Sequence, residues 1–521
     1  MRKLYNQKLF TLLILVISTV LVNAHDFEVD GIYYLINGTE ATVTHQGQYG
    51  YSYDNEYSGY VSIPEVVTYN GVDYIVTSIG DEAFERCSGL TDIEIPNSIK
   101  TINGLAFSNC IGLTSVNIPN SVESIGWNAF NGCSSLLNLN IGESVSIIDE
   151  FAFCGCSRLT SVTIPKSVSS IGHLAFFGCN ALDTLNFNAI SCANFSTHEL
   201  DSEHPFYQVY LSTITIGDSV KRIPAYFAYG QSQLTNMNLN LPNSIIEIGE
   251  GAFFYCQSLT GSLTIPSSVT SIPNYAFCAC SGLTSVILPN SVTSIGKYAF
   301  DGCTSLTGVY ISDLEAWCNI NFGSPGANPL YEARHLFLND VKVTNLIIPS
   351  SIITINGGLF AGCTDLEYVT IPNSVTSIGG SAFNECTNIT NIIIGNSVTH
   401  IGEYAFVGCS KLSEIICQAI TPPTANYNYS PFSKYDAIVK VPSGSVQAYK
   451  TTFPWRKFTN ILGISLGDVD CDGKVNISDV TTLIDIILRS SESLFSADVN
   501  DDGKVDISDV TALIDKLLRG Y

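Results

Sequence analysis

Two stretches near the C-terminal end carry residue types at spacings suited to holding a hard cation. Asp468-Val-Asp470-Cys-Asp472-Gly473-Lys474-Val-Asn476-Ile-Ser-Asp479 sets oxygen-bearing side chains at positions 1, 3, 5, 9 and 12 of a twelve-residue stretch. Thirty residues on, Asp498-Val-Asn500-Asp-Asp502-Gly503-Lys504-Val-Asp506-Ile-Ser-Asp509 repeats the pattern. A cation that takes six to eight oxygen ligands needs this spacing, with a backbone carbonyl from position 7 (Lys474 and Lys504) and glycine at position 6 for the sharp turn. The spacing is that of a calcium loop, and two loops predict two calcium ions. Cys471 falls at position 4, which is not a ligand position.

The elements that must position these loops are helices. Val480, Leu483, Ile484, Ile487 and Leu488 recur at helical spacing after the first loop, and Val510, Leu513, Ile514, Leu517 and Leu518 match them after the second. These sets predict two amphipathic helices. No helical pattern precedes the first loop, and position 12 is Asp instead of the Glu usual in paired EF-hands. A duplicated loop-helix of this kind resembles a type I dockerin. The resemblance implies a calcium-folded module that plugs into a cohesin domain of a scaffold, as in assemblies that degrade plant polysaccharides. It also implies partner contacts at loop positions 10 and 11 and on the following helix. Carried over, these are Ile477, Ser478, Ile484, Asp485 and Arg489, then Ile507, Ser508, Ile514, Asp515 and Arg519. The two sets are identical in residue type, so either half could present the same face after a half-turn. Asp468 to Tyr521 holds twelve acidic and five basic residues, a net charge of −7, and repulsion of that size should keep the module open until calcium binds.

The body of the chain is a phrase of about two dozen residues, repeated. Its marker is Ala-Phe followed three residues after Phe by Cys, as at Phe84, Phe107, Phe130, Phe153, Phe176, Phe253, Phe277, Phe300, Phe383 and Phe406. Phe227 and Phe360 mark two further turns with altered spelling. In one unit Leu113, Val116 and Ile118 form an apolar strand closed by Pro119, which cannot continue a ladder. Gly126 permits a second corner, and Ala129-Phe130 with Cys133 reads as a helical or 3-10 turn that places the ring inside. One unit cannot bury its apolar face alone, whereas a stack makes a continuous core.

These residues resemble the BspA-like leucine-rich repeats of secreted bacterial proteins, through the recurring Ile-Pro-x-Ser-Val-x-x-Ile-Gly and Ala-Phe-x-Gly-Cys. The resemblance implies surface attachment, cell-cell adhesion and binding of host or matrix proteins. The predicted fold is therefore a β-rich solenoid of leucine-rich-repeat type with short helical or 3-10 turns, plus a small all-α calcium-binding dockerin domain. The expected order is a secretory signal at 1–24, a β-rich cap at 25–76 and about twelve repeats over 77–412. A second cap at 413–462, a linker at 463–467 and the calcium module at 468–521 complete it. Two long marker intervals predict insertions near 180–225 and 307–346. The second carries Ser312-Asp-Leu-Glu315, a capping box that opens a short helix through Trp317.

Arg2, Lys3 and Lys8 precede an apolar run from Leu9 to Val22 that ends in Val22-Asn23-Ala24, the form of a cleaved signal. No other segment reads as a membrane span, so the protein is expected to be exported, extracellular or on the cell surface. A formal charge of −24 argues against nucleic acid and anionic membranes. Eleven of seventeen cysteines sit three residues after a marker Phe, which predicts a stacked, buried ladder of free thiols instead of bridges. No nucleophile elbow, zinc helix or phosphate loop occurs. His198, Glu199, Asp201, Glu203 and His204 form the one polar cluster, which reads as a solvated loop. The expected function is that of a non-catalytic exported protein. Its repeats would display a surface for an unknown protein or carbohydrate ligand, and its dockerin would dock it to a cohesin. A component of a polysaccharide-degrading complex and a host-binding adhesin are the alternatives.

Overall fold

The computed structural model describes residues 25–47, 56–195, 204–465, 467–470, 474–489, 497–500 and 504–519. The expected signal at 1–24 lies outside the described residues. The chain divides into two compact units, Met1–Asn238 and Leu239–Tyr521.

The first unit opens with an antiparallel meander of Phe27–Val29, Ile32–Asn37 and Glu40–Thr44. Asn70 and Gly71, both left-handed at φ 52° and 77°, close a hairpin between Val66–Tyr69 and Val72–Ile79. From Val72–Ile79 the pairing turns parallel and repeats: Thr101–Ile102, Ser124–Ile125, Ile147–Ile148 and Ser170–Ile171 follow in register. A second parallel ladder carries Ser161–Ile164, Thr184–Phe187, Thr213–Ile216 and Asn236–Met237.

The second unit has the same two-ladder design. Gly261–Thr264, Leu283–Ile287, Val309–Ile311 and Leu336–Leu338 pair in parallel. The short strands Ser271–Ile272, Ser294–Ile295 and Asn321–Phe322, and later Thr354–Ile355, Ser377–Ile378 and His400–Ile401, form the other ladder. Asn345–Ile347, Tyr368–Ile371, Asn391–Ile394 and Glu414–Cys417 pair in parallel on the side of the longer strands. Ile438–Pro442 and Asn460–Ile464 extend this ladder, with the helix Val446–Thr451 between them. The strand Asn460–Ile464 therefore runs into the stretch expected to be a linker. Trp455 and Tyr449 are fully buried here. The Trp455 indole donates to the Pro423 carbonyl at 2.9 Å and the Tyr449 hydroxyl to that of Ala419 at 2.7 Å.

One turn of the solenoid explains the phrase. Leu113, Val116 and Ile118 point inward and are buried, and the Pro119 carbonyl accepts the Val122 amide at 3.2 Å to close the first corner. A Cβ on Gly126 would stand 2.7 Å from the Asn103 carbonyl carbon, so glycine is needed for close approach of the preceding turn. The Ala-Phe-x-x-Cys segment is not a helix. Asn128 and Gly132 are left-handed at φ 54° and 75°, which interrupts any helical run. The amides of Asn128, Phe130 and Gly132 instead donate to Glu150, Ala152 and Cys154 of the next turn at 2.7 to 2.9 Å.

The marker rings stack. Centroids lie 4.9 Å apart for Phe84–Phe107, 5.0 Å for Phe107–Phe130 and 5.3 Å for Phe130–Phe153, close to the strand spacing that sets them. Eight of the marker thiols donate to a carbonyl on the neighbouring turn, among them Cys110 to Phe84 at 3.0 Å, Cys133 to Phe107 at 3.2 Å and Cys386 to Phe360 at 3.1 Å. All sixteen described cysteines are free. Burial pushes the Cys133 thiol up to about 12, and those of Cys110, Cys303 and Cys386 also upward.

Both long intervals differ from the expected insertions, because each supplies strands to the ladders. Phe206 stacks on Phe176 at 4.9 Å, and Thr213–Ile216 pairs with Thr184–Phe187, so this stretch contains a further turn without the Ala-Phe spelling. In the second, Leu336–Leu338 pairs with Val309–Ile311 and Asn321–Phe322 with Ser294–Ile295. The helix there spans Leu314–Cys318, and its cap is Asp313, one residue later than the Ser312 expected. The Asp313 carboxylate accepts the Glu315 and Ala316 amides at 2.8 and 3.2 Å.

Candidate calcium centre and docking face

The two C-terminal loops close through their last residue. Asp479 is fully buried, and one of its carboxylate oxygens accepts the Val469 and Asp470 amides at 2.6 and 3.1 Å. The other accepts the Asn476 amide at 2.7 Å. Asp509 repeats this with Val499 at 2.7 Å, Asn500 at 3.2 Å and Asp506 at 2.9 Å. Each buried carboxylate thus draws its loop into a ring.

Inside the first ring, one oxygen each from Asp468, Asp470 and Asp479 lies within 4.8 Å of the others. Asp468 is 1% exposed. Three converging carboxylate oxygens, two of them from buried side chains, make a donor set suited to a hard cation. Exposed acidic groups are common without an ion, but here the convergence occurs at positions whose spacing already predicted ligation. Asp472 and Asp502 lie outside the described residues. Asn476 and Asp506 also cap the helices that follow: each side chain accepts the amide two residues on, Ser478 or Ser508, at 2.8 Å. Lys474 and Lys504 are exposed, consistent with a carbonyl role at that position. Asp498 is half-buried, and the Asn500 side-chain amide donates to the Ser508 hydroxyl at 2.7 Å.

The helices that follow are Ile477–Arg489 and Ile507–Arg519. Val480 and Leu483 of the first meet Val510 and Leu513 of the second in a small core with Val469 and Ala497. Sequence pattern placed Ile484, Leu488, Ile514 and Leu518 on the same apolar faces as these residues. The structure divides them: Ile487 and Leu517 flank the core, whereas Ile484 and Ile514 are each 39% exposed. Leu488 and Leu518 are 76% and 80% exposed. With Ile477 and Ile507 they form an i, i+7, i+11 stripe on each helix, roughly 90° from the buried stripe. The sequence reading missed Leu488 and Leu518 as surface residues. The signal was present, since two apolar stripes on one helix cannot both face one small core.

The remaining residues expected to meet a partner lie on this outer side. Ser478, Asp485, Ser508 and Asp515 are exposed, and Arg519 pairs with Asp515 at 3.1 Å. The side chain of Arg489 lies outside the described residues. Residue by residue, the two helices have the same pattern of burial from position 477 to 488 and from 507 to 518.

Of the polar cluster in the first long interval, residues 198–203 lie outside the described residues. His204 is buried, with Nδ1 accepting the Phe206 amide at 3.0 Å and Nε2 2.9 Å from the Tyr226 carbonyl oxygen. It joins two turns of the solenoid.

Comparison with known proteins agrees with both parts. The family model described as BspA type leucine-rich repeat region matches in six copies over residues 77–201, 202–322 and 333–443. The type I dockerin domain model matches residues 466–518. No curated protein matches. Similar solved structures include a leucine-rich repeat protein from Bacteroides ovatus, 27% identical over 75% of this chain and 94% of its own, with a TM-score of 0.44. A leucine-rich cell surface protein from Faecalibacterium prausnitzii is also 27% identical over 75% and 94%, with a TM-score of 0.33. The pneumococcal vaccine antigen PcpA is 17% identical over 85% of this chain and 99% of its own, with a TM-score of 0.31. Among the described residues no helix is long and apolar enough to cross a membrane. Neither the repeat nor the dockerin match brings an enzyme domain.

Proposed function

We infer the function from one premise: the chain belongs to the BspA-type leucine-rich repeat family and carries a type I dockerin domain at its C-terminal end. It is an exported, non-catalytic surface protein whose repeats display a ligand-binding face and whose calcium-loaded dockerin docks into a cohesin. Each loop holds one calcium ion, through Asp468, Asp470, Asp472, the Lys474 carbonyl, Asn476 and Asp479 in the first. Asp498, Asn500, Asp502, the Lys504 carbonyl, Asp506 and Asp509 serve the second.

The observation that carries this reading is the pair of matching exposed stripes. Ile477, Ile484 and Leu488 stand outside the module core, and Ile507, Ile514 and Leu518 repeat them. Exposed apolar residues in register with a polar rim of Ser478, Asp485, Ser508 and Asp515 are the composition of a protein interface. Because the halves match, either one engages the cohesin, one at a time, and the two orientations differ by a half-turn.

Charge exchange tests this. Replacing Ile477-Ser478 and Ile507-Ser508 together with Asp-Lys should abolish binding of a type I cohesin in calcium. Replacing either pair alone should leave the affinity within about twofold, since only the statistical choice of face is lost. Loss of binding from one single-pair exchange, with the other silent, would mean that one face alone is used.

A further inference from the structure

Within the second unit, the residue two before each marker Phe is left-handed, from the buried Gly251 to the exposed Tyr404. Tyr275, Tyr298 and Tyr404 hold this place at φ 55°, 57° and 59°. Tyr275 and Tyr298 stack at 5.5 Å along the edge of the solenoid. Between Tyr298 and Tyr404 the row is broken: the equivalent residues are Gly358, at φ 68°, and Ser381. A Cβ built on Gly358 meets no atom within 4 Å.

The gap is a cavity of about 490 Å³, lined by Phe322, Tyr331, Gly358, Ser381, Asn384 and Glu385 among others. That volume lies within the usual range for a small-ligand site. Its floor is held in place, because the buried Asn328 amide donates to the Gly358 and Leu359 carbonyls at 2.9 and 3.1 Å. The Tyr331 ring is 46% exposed, with the Arg334 guanidinium carbon 5.5 Å from its centroid.

We propose that this cavity binds neutral saccharides, with the Tyr331 and Phe322 rings as stacking surfaces and Ser381, Asn384 and Glu385 as hydroxyl partners. A pyranose has C–H groups on its faces and hydroxyls round its rim, and so needs rings beside amide, hydroxyl and carboxylate groups. An apolar peptide side chain would desolvate those polar groups without pairing them. A sulfated or uronic sugar would meet the carboxylate of Glu385, the charged residue among those lining the cavity. The proposal rests on the repeats being a ligand-displaying face, as read above, and names the class of ligand. It does not depend on docking.

The test is titration of the full-length protein in calcium with cellohexaose, xylohexaose and mannohexaose, and with hexagalacturonate as the anionic control. At least one neutral oligosaccharide should bind. Tyr331→Ala should weaken it at least about fivefold, as expected for a central aromatic contact. Gly358→Tyr should abolish it by filling the cavity, since the fold accepts left-handed tyrosine at this place in sister turns. Both variants should keep the wild-type melting temperature of the repeats and the wild-type affinity for cohesin. Failure of every neutral sugar, tighter binding of hexagalacturonate, or neutral-sugar binding unchanged in Gly358→Tyr would each overturn the proposal. Loss of cohesin binding in calcium would instead count against the docking reading.

Discussion

The repeats and the C-terminal module reach stability by different routes. A turn of the solenoid contributes a ring, a thiol and two short strands, and each finds the same groups on its neighbours. Phe130 lies between Phe107 and Phe153, and its amide donates to Ala152 of the next turn. Among its described residues the module has six buried apolar side chains around two helices, and it carries −7 net charge over its 54 residues. A core of that size needs an added staple, and the buried carboxylates of Asp468, Asp479 and Asp509 raise the requirement. In the repeats, burial is itself the source of stability. In the module, we propose that a cation in the loops offsets the buried charge.

Chelation should separate the two most sharply. With EGTA in excess, the helical signal and the thermal transition of the module are expected to vanish, while the strand signal and the main transition of the repeats stay unchanged. A single calcium-dependent transition for the whole chain would contradict the division.

Truncation in the core should act in the opposite sense. Phe130→Ala removes a fully buried ring from the stack and should cost the repeats about 3–5 kcal/mol. It should leave the calcium titration of the module untouched, as read by the change in helical circular dichroism.

Alkali should act on the repeats through their buried thiols, with the smallest effect of the three per residue. The unfolded Cys133 thiol ionises near its ordinary value of 9.0, whereas burial holds the folded one near 12. The folded state therefore keeps its protons over that window while the unfolded state loses them. The contribution is fully present below pH 9, and stability falls as pH rises from 9 towards 12. Melting curves of the repeats between pH 8.5 and 10.5 should show the decline, and it should shrink in Cys133→Ala.

The same contrast explains what could be read from the sequence. The loop residues were legible because their spacing is that of a hard-cation site, and the structure brings Asp468, Asp470 and Asp479 together. The repeat was legible because Phe and Cys recur at constant intervals. Two turns escaped because neither Phe206 nor the stretch around Leu336–Leu338 follows the Ala-Phe spelling, although their strands occupy the ladders. Pairing in a solenoid uses backbone groups that any residue supplies, so a turn can lose its marker and keep its place. Leu488 and Leu518 were hidden for the opposite reason, since apolar periodicity does not say which of two stripes faces a core. The cavity at Gly358 was hidden because it opens where two successive turns carry Gly358 and Ser381 in place of a tyrosine.

The central claim is that a calcium-dependent module docks a calcium-independent repeat domain to a cohesin. Its most direct test is titration of the full-length protein with a panel of type I cohesins, first in calcium and then in EGTA, with circular dichroism recorded on the same samples. The account predicts saturable one-to-one binding of at least one cohesin in calcium, and none in EGTA while the strand signal persists. Binding that survives EGTA, or loss of the strand signal together with binding, would contradict it.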